Sequence, residues 1–483
     1  MSEIVVVGGG VGGLAAAVRL RAAGHAVRVL ERRATLGGKL DVRVRDGFTF
    51  DTGPSLLTLP DVLDDLFRVA GTRLAAEVEL SRLDPQIRYR WPDGTGYDAG
   101  DDPEATSRAI EAFSPGSGAA HRQLMSRGAR IWAISERTFL AGPMRGPRDL
   151  LRRMRSPRDL TTIDPVRTLD AVARRTFSDP RLVQWAGRYA TYSGSSPYRV
   201  PATLACIPAV EARYGVWYPT GGMSALRDAL VRVAGRMGVE LAMGCEVERI
   251  DAAGGCVRAA VTSDGTRYRA DVVVANVDAE VLYRDLLPDT GALRRAGRAG
   301  RSLSAFVVLA GVRGTTPGQA HHSVWFPTDQ AREFRQLVDE RVVADDPTIY
   351  ACVPSVSDPT QAPPGHESWF LLVNAPAGAA VDRAAYGSRL LDLLAGHGTD
   401  LRDRLCFTET ITPDDLASRY RAPGGAIYGT SSNGRRAAFL RPANRGPRRG
   451  LYLVGGSSHP GGGLPLVTIS GRIVADLIRQ DGW

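Results

Sequence analysis

The stretch Ile4-Val5-Val6-Val7-Gly8-Gly9-Gly10-Val11-Gly12-Gly13-Leu14-Ala15-Ala16-Ala17-Val18-Arg19-Leu20, with Val27-Arg28-Val29-Leu30-Glu31 shortly after it, decides the fold of this chain. An apolar run feeds a glycine turn in which Gly8, Gly10 and Gly13 hold a GxGxxG frame with Gly12 beside them, and a periodic apolar segment leaves it. This order predicts strand, tight turn, helix, strand and acid, the opening of a parallel α/β nucleotide-binding unit. One glycine makes the turn, one lets backbone approach a pyrophosphate, and one lets the helix pack against the strand. Bare N–H groups and the helix dipole then hold the anion. Glu31 ends the second strand at the distance where a carboxylate reaches ribose hydroxyls.

Gly37-Gly38-Lys39-Leu40 narrows the nucleotide. It resembles the double-glycine extension of glutathione-reductase and amine-oxidase flavoproteins, where a turn and a basic side chain approach FAD. Lys39 is the only lysine among 61 basic residues, and Arg32 follows the ribose acid directly.

A chain of 483 residues exceeds one simple core and predicts two domains sharing the cofactor crevice. No apolar run reaches the roughly 18 to 20 residues of a membrane-spanning helix. The first strand starts almost at once, without the basic head and cleavage region of a signal peptide, so a cytoplasmic protein is expected. Cys206, Cys245, Cys256, Cys352 and Cys406 lack CxxC spacing and read as packing residues in a reducing compartment. The seven histidines have no ligand spacing beyond the adjacent pair His321-His322, and no metal site is expected.

The net charge of +9 is spread mostly among alternating acids and arginines, with one exception. Residues 145 to 158 carry Arg145, Arg148, Arg152, Arg153, Arg155 and Arg158 against Asp149 alone, with Leu150, Leu151 and Met154 at helical spacing. That pattern predicts an interfacial helix whose apolar side dips into an anionic membrane surface while the arginines meet headgroups. The alternative is a helix packed on the protein by the same leucines. No nucleic-acid motif accompanies the charge.

Along the chain, a hairpin is expected over 41–50, a helix over 59–69, and strands over 87–91 and at Tyr97. Residues from about 103 to 211 read as helices. Nucleotide-domain patterning returns at Val216-Trp217-Tyr218-Pro219 and Gly221-Gly222 before a helix over 223–237, then strands over 246–250, 257–262 and 271–275. An antiparallel sheet is expected between about 288 and 442, with strands near 303–310, 323–326, 348–353 and 368–373. A last strand over 450–454 precedes a glycine-rich turn and a final helix. The expected fold is thus α/β: a discontinuous Rossmann-like FAD-binding domain (1–102, 215–287, 443–483), interrupted by a helical lid subdomain (103–214) and a substrate domain with a mixed or antiparallel sheet (288–442).

Arg45-Asp46-Gly47-Phe48-Thr49-Phe50-Asp51-Thr52-Gly53-Pro54-Ser55, Gly194-Ser195-Ser196-Pro197, the run from Tyr214 to Met223, His321-His322-Ser323, and Ser458-His459-Pro460-Gly461-Gly462-Gly463-Leu464-Pro465 complete the resemblance. With the 8–39 fingerprint, the chain resembles the bacterial phytoene desaturase family of FAD-dependent carotenoid desaturases nearly end to end. The resemblance implies bound FAD, a long apolar tunnel, peripheral membrane association and removal of hydrogens from a carotenoid by hydride transfer to flavin N5. It adds Gly53, Pro54, Ser55, Val247, Gly455, Gly456, Gly463, Leu464 and Pro465 to the cofactor contacts. The start of the last helix, with proline in its first turn and bare amides before it, suits the negative end of a reduced flavin.

The cofactor performs the redox step, so the protein must orient the polyene, exclude water and accept a proton. No His-Asp or paired-carboxylate set is visible. The candidates are Arg188, Tyr189, Tyr192 and His322, with Glu211, His321 and His459 as further polar groups. Two other readings stay open: an FAD-dependent oxidase, isomerase or cyclase acting on another polyene such as a macrolactam, and a non-redox prenyl carrier of the GDP-dissociation-inhibitor type. A single complete dinucleotide motif points to oxygen or a quinone as terminal electron acceptor.

Overall fold

The computed structural model describes residues 1–434, 437, 439 and 441–483. A five-stranded parallel sheet carries the nucleotide unit, in the order Leu451–Leu453, Val272–Ala275, Glu3–Val7, Ala26–Glu31 and Glu240–Met243. Its central strands are continuous valine and isoleucine runs because both faces are covered, the usual condition of parallel strands. The edge strand Glu240–Met243 is short and only half-buried, and the sequence reading passed over it.

The opening helix Val11–Ala22 carries Gly12, Gly13, Ala15, Ala16 and Ala17 in its first turns, and the final helix Leu464–Gln480 meets it there at Gly471. A Cβ at Gly471 would lie 2.8 Å from the backbone nitrogen of Ala16. Small residues therefore set a close helix–helix approach, which brings both helix N-termini to the same crevice at the ends of the sheet.

Between Pro103 and Tyr214 the regular elements among the described residues are helical, the longest being Ser117–Thr138. The second sheet has seven strands in the order Leu405–Ile411, Ser304–Arg313, His366–Ala375, Ile349–Cys352, His322–Trp325, Ile87–Arg90 and Gly96–Ala99. It is antiparallel except where His322–Trp325 runs parallel to Ile87–Arg90, so the sheet is mixed. The strands near residues 87 and 97 were expected in the first nucleotide segment, 1–102; they close this sheet instead. The Tyr89 and Trp91 side chains explain the choice, since they stack on Phe326 at 6.0 and 4.9 Å between ring centroids. Trp217–Pro219 likewise leaves the nucleotide sheet and pairs with Leu80–Arg82.

The arginine-rich segment departs from the single interfacial helix expected of it. Prolines divide it into two short helices, Pro147–Arg153 and Pro157–Ile163. Leu150 and Met154 pack inward against Ile134, Met144 and Ile163, while Leu151 points to solvent. Arg153 turns inward too and donates to the carbonyls of Thr138, Gly142 and Pro143. What remains outward is an apolar set, Leu151, Leu160 and Val166, among exposed Arg145, Arg148, Arg152, Arg155 and Arg158. Of the five cysteines, Cys406 is exposed and does not serve packing.

Candidate active site

One cavity of about 610 Å³ joins the nucleotide unit to the second sheet and the helical subdomain. Gly8, Gly10, Gly12, Glu31, Arg32, Gly37, Gly38, Lys39, Gly53, Pro54, Ser55, Val247, Gly455, Gly456, Gly463, Leu464 and Pro465 all line it. Of the cofactor residues read from the sequence, only Gly13 stands behind the wall. Its role is steric: a Cβ there would come 2.3 Å from the Gly8 carbonyl oxygen.

The glycine turn is held open by its surroundings. Gly8 adopts φ +98°, a region that favours glycine, and any Cβ would meet the Asn276 carbonyl at 2.8 Å. Asn276 also donates its side-chain amide to the Gly8 carbonyl at 3.1 Å, fixing the turn from the neighbouring strand. Glu31 is buried and accepts from the Gly9 N–H at 2.7 Å and the Arg33 N–H at 2.9 Å. The double glycine folds back so that Gly37 N–H donates to Gly9 O at 2.8 Å. Gly53 crosses this second turn where a Cβ would overlap the Lys39 carbonyl at 1.7 Å.

Neither helix N-terminus facing the cavity is neutralised. Val11–Ala22 and Leu464–Gln480 have no acidic residue in the first turn and no side-chain cap, and Pro465 sits in the first turn of the latter. Bare amides with a positive dipole end suit an anion. Glycines that exclude side chains, a buried carboxylate at the end of the second strand and two open helix starts together fit FAD.

The basic residues are committed differently from expectation. Lys39 donates its ammonium to the carbonyls of Ala426 and Ile427 at 3.2 and 2.8 Å, tying the first domain to the loop over the crevice. Burial pulls its pKa down to about 8, and Asp278 works against that. Arg32 gives its guanidinium to the carbonyls of Ser418 and Arg419 at the rim. Arg441, unnoticed in the sequence, is buried and donates to Tyr428 O and Gly456 O at 2.9 and 3.1 Å.

The remaining wall is apolar, with Ala305, Val307, Phe370 and Leu372 from the second sheet and Trp132, Ile207 and Val210 from the helices. Two polar sets interrupt it. In the first, Arg188 lies over the rings of Tyr192, Tyr89 and Tyr189 at 5.3, 5.5 and 5.7 Å, and Tyr192 donates to Glu211. Burial raises the Glu211 pKa while the Arg188 charge opposes the rise. Arg188 and Tyr192 reach the cavity; Tyr189 does not, packing against Trp185 in the helical core because its ring completes that cluster.

In the second set, Ser55 Oγ and Tyr350 Oη lie 2.6 Å apart on the cavity wall, and Tyr350 Oη reaches His322 Nδ1 at 2.9 Å. His322 therefore stands one hydrogen bond behind the surface rather than on it. The adjacent histidines do share a locality: their rings are 4.4 Å apart, and with Cys352 their ligand atoms fall within 4.8 Å. Burial holds both imidazoles far below the usual histidine range, His321 at about 3, and keeps the Cys352 thiol protonated. His459 is buried away from the cavity, its Nε2 at 3.1 Å from Gly142 O and its ring against Phe139, and it holds the chain just before the arginine-rich segment.

The profile of the flavin containing amine oxidoreductase family matches residues 11–479. The chain is 37% identical to a hydroxyneurosporene desaturase of Cereibacter sphaeroides, over 99% of this chain and 98% of that one. It is 34% identical to a 4,4'-diapolycopene oxygenase of a Methylomonas species over the same shares. An oxidoreductase structure from Methanosarcina mazei superposes with TM-score 0.67 at 18% identity, covering 98% of this chain and all of that one. The chain belongs to the flavin-containing amine oxidoreductase family. This flavoprotein is an FAD-dependent oxidoreductase, and its full-length relatives bear out the resemblance to carotenoid desaturases.

Asn276, Tyr350 and Tyr428 are the wall residues of this oxidoreductase that sequence reasoning missed. Asn276 left a signal, an amide directly after a buried parallel strand that must face the glycine turn. The others left none, because strands and loops far apart in sequence bring them to the wall.

Proposed function

We propose that this flavoprotein desaturates a carotenoid taken from a membrane. A single observation carries the reading: the glycine cradle for FAD and the apolar wall of Val307, Phe370 and Leu372 face one continuous cavity. Bound FAD supplies the two-electron acceptor that takes hydride from a carbon next to the polyene. The chain itself orients the hydrocarbon and keeps water out. Its polar groups at the wall, Arg188, Tyr192, Ser55 and Tyr350, are the candidates for charge and proton handling. A carotene leaving lipid for this chamber gains little hydrophobic energy, since lipid is as apolar as leucine, so length and shape select the substrate.

Membrane association is part of the reading. Leu151, Leu160 and Val166 with the surrounding arginines supply an apolar and cationic patch. Val166 also lines a second cavity of about 1040 Å³, which shares Asp278, Gly429 and Ser457 with the first. Among the described residues, no helix is long and apolar enough to cross a membrane. Oxygen or a membrane quinone would reoxidise the flavin.

The test is anaerobic mixing of the FAD-loaded protein with liposomes carrying phytoene, a hydroxylated carotenoid or a macrolactam. Bleaching of the flavin by a carotenoid, with a product lighter by two hydrogens, supports desaturation. A product heavier by oxygen on later aeration, or bleaching by the macrolactam alone, overturns it.

A further inference from the structure

The second polar set does not stop at the cavity wall. From Ser55 and Tyr350 it continues to His322, then to His321, whose Nδ1 lies 2.9 Å from Ser357 Oγ. Ser55 and Tyr350 line the chamber, His322 and His321 are buried, and Ser357 is exposed. The set therefore connects the chamber to solvent. The two rings lie 4.4 Å apart, and the Nε2 atom of each is buried without a protein partner. Each Nδ1 is engaged and each Nε2 lacks a partner, a need that water meets in buried polar sites.

We propose that Ser55, Tyr350, His322, His321 and Ser357 form a path by which the proton lost in desaturation leaves the chamber. The inference rests on the proposed desaturation. Of the two hydrogens removed, one leaves as hydride with both bonding electrons to the bound flavin. The other leaves as a proton, and its C–H electron pair becomes the new C=C bond. An oxygen of the Ser55–Tyr350 pair accepts that proton as the Tyr350 O–H proton passes to His322 Nδ1. His322 Nε2–H donates to a water, that water to His321 Nε2, and His321 Nδ1–H to Ser357, which releases a proton to bulk solvent. One proton enters and one leaves, and no imidazole need hold a lasting positive charge.

The surroundings favour that neutral transfer. Desolvation is the main influence on both imidazoles, and Arg188 adds to it at His322. Tyr218 packs on His321 at 4.4 Å between ring centroids and donates to Asp51, and Cys352 faces His322 across the strand pair. Asp358 beside His321 opposes that effect and draws a proton outward. The direction of transfer fixes the resting tautomers: the proton is on Nε2 in His322 and on Nδ1 in His321.

Nitrogen-15 NMR of the imidazoles in the full FAD-loaded protein, without substrate, tests this arrangement. Opposite tautomers, and a Tyr350→Phe variant that moves the His322 Nδ1 signal, are expected. The same tautomer on both rings, or stoichiometric zinc on the pair by elemental analysis, overturns the path. In anaerobic liposome turnover, Tyr350→Phe and His322→Phe should retain flavin affinity, slow desaturation about tenfold or more and change the solvent deuterium effect. Wild-type rate and isotope effect in both variants overturn it. Failure of the wild type to bleach with any carotenoid refutes the desaturase reading instead, and the NMR result stands apart from that outcome.

Discussion

The glycine crevice and the apolar wall opposite it enclose one cavity but are built on opposite principles. The crevice is defined by side chains that are absent. Gly8, Gly13 and Gly53 each stand where a Cβ would collide with backbone, so the ligand meets peptide groups and helix ends. The wall is defined by buried side chains whose charges and lone pairs must be satisfied by residues far away in sequence. Tolerance to substitution should differ accordingly, because a peptide turn has no way to yield, whereas a side-chain cluster can be rebuilt.

The largest effect is expected in the crevice. Gly8→Val forces a β-branched residue into φ +98° and against the Asn276 carbonyl. Backbone strain of this kind costs about 1–3 kcal/mol before the clash is counted. FAD affinity, measured by quenching of flavin fluorescence, should fall about 100-fold or more. A variant that purifies fully loaded with flavin would break the contrast.

The wall should respond in a compensable way. Arg188→Leu removes the cation that opposes the burial-driven rise of the Glu211 pKa, and the stability loss of about 3 kcal/mol should be larger at high pH, where Glu211 is charged, than at low pH, where it is neutral. The double variant with Glu211→Leu should recover most of it. Chemical denaturation of the four proteins gives the coupling directly, and strict additivity would show that Arg188 and Glu211 act independently.

Glu333 sharpens the same point through pH. It is buried near the chamber, accepts from the Thr348 N–H and hydroxyl, and burial pushes its pKa up to about 7. A pKa raised by folding means a contribution to stability that is fully present below the ordinary glutamate value and lost as pH rises through about 7. Glu333→Gln should therefore melt near wild type at pH 4 and gain on it by about 2–3 kcal/mol at pH 8. Thermal melts across that window check the sign, and a gain at low pH would contradict it.

The smallest effect belongs to the outer surface. Leu151→Ser with Leu160→Ser removes two exposed apolar side chains without touching either wall. Sedimentation with anionic vesicles should show binding weakened roughly tenfold, with flavin content unchanged. Binding equal to wild type would move the membrane contact elsewhere.

The crevice was legible because its rules are local. A glycine frame between strand and helix, an acid at the next strand end and a second glycine pair hold their meaning within some 40 residues, and the structure places all of them except Gly13 around one cavity. The wall was only partly legible. Arg188 and Tyr192 reach the chamber, Tyr189 is turned into the helical core, and His322 stands behind Tyr350, a tyrosine the sequence offered no reason to select. The interfacial helix was misread for a related reason: its periodicity does not say that prolines divide it or that Leu150 points inward while Leu151 does not.

The sequence alone determined the nucleotide turn, the parallel unit around it and the flavin, because backbone geometry at glycine depends on a few neighbours. Tertiary structure alone decided which strands joined the second sheet, where Lys39 spends its hydrogen bonds and that two neighbouring histidines lie between a chamber and solvent. Those outcomes depend on what distant segments place opposite a side chain, and burial, not local pattern, sets their energies.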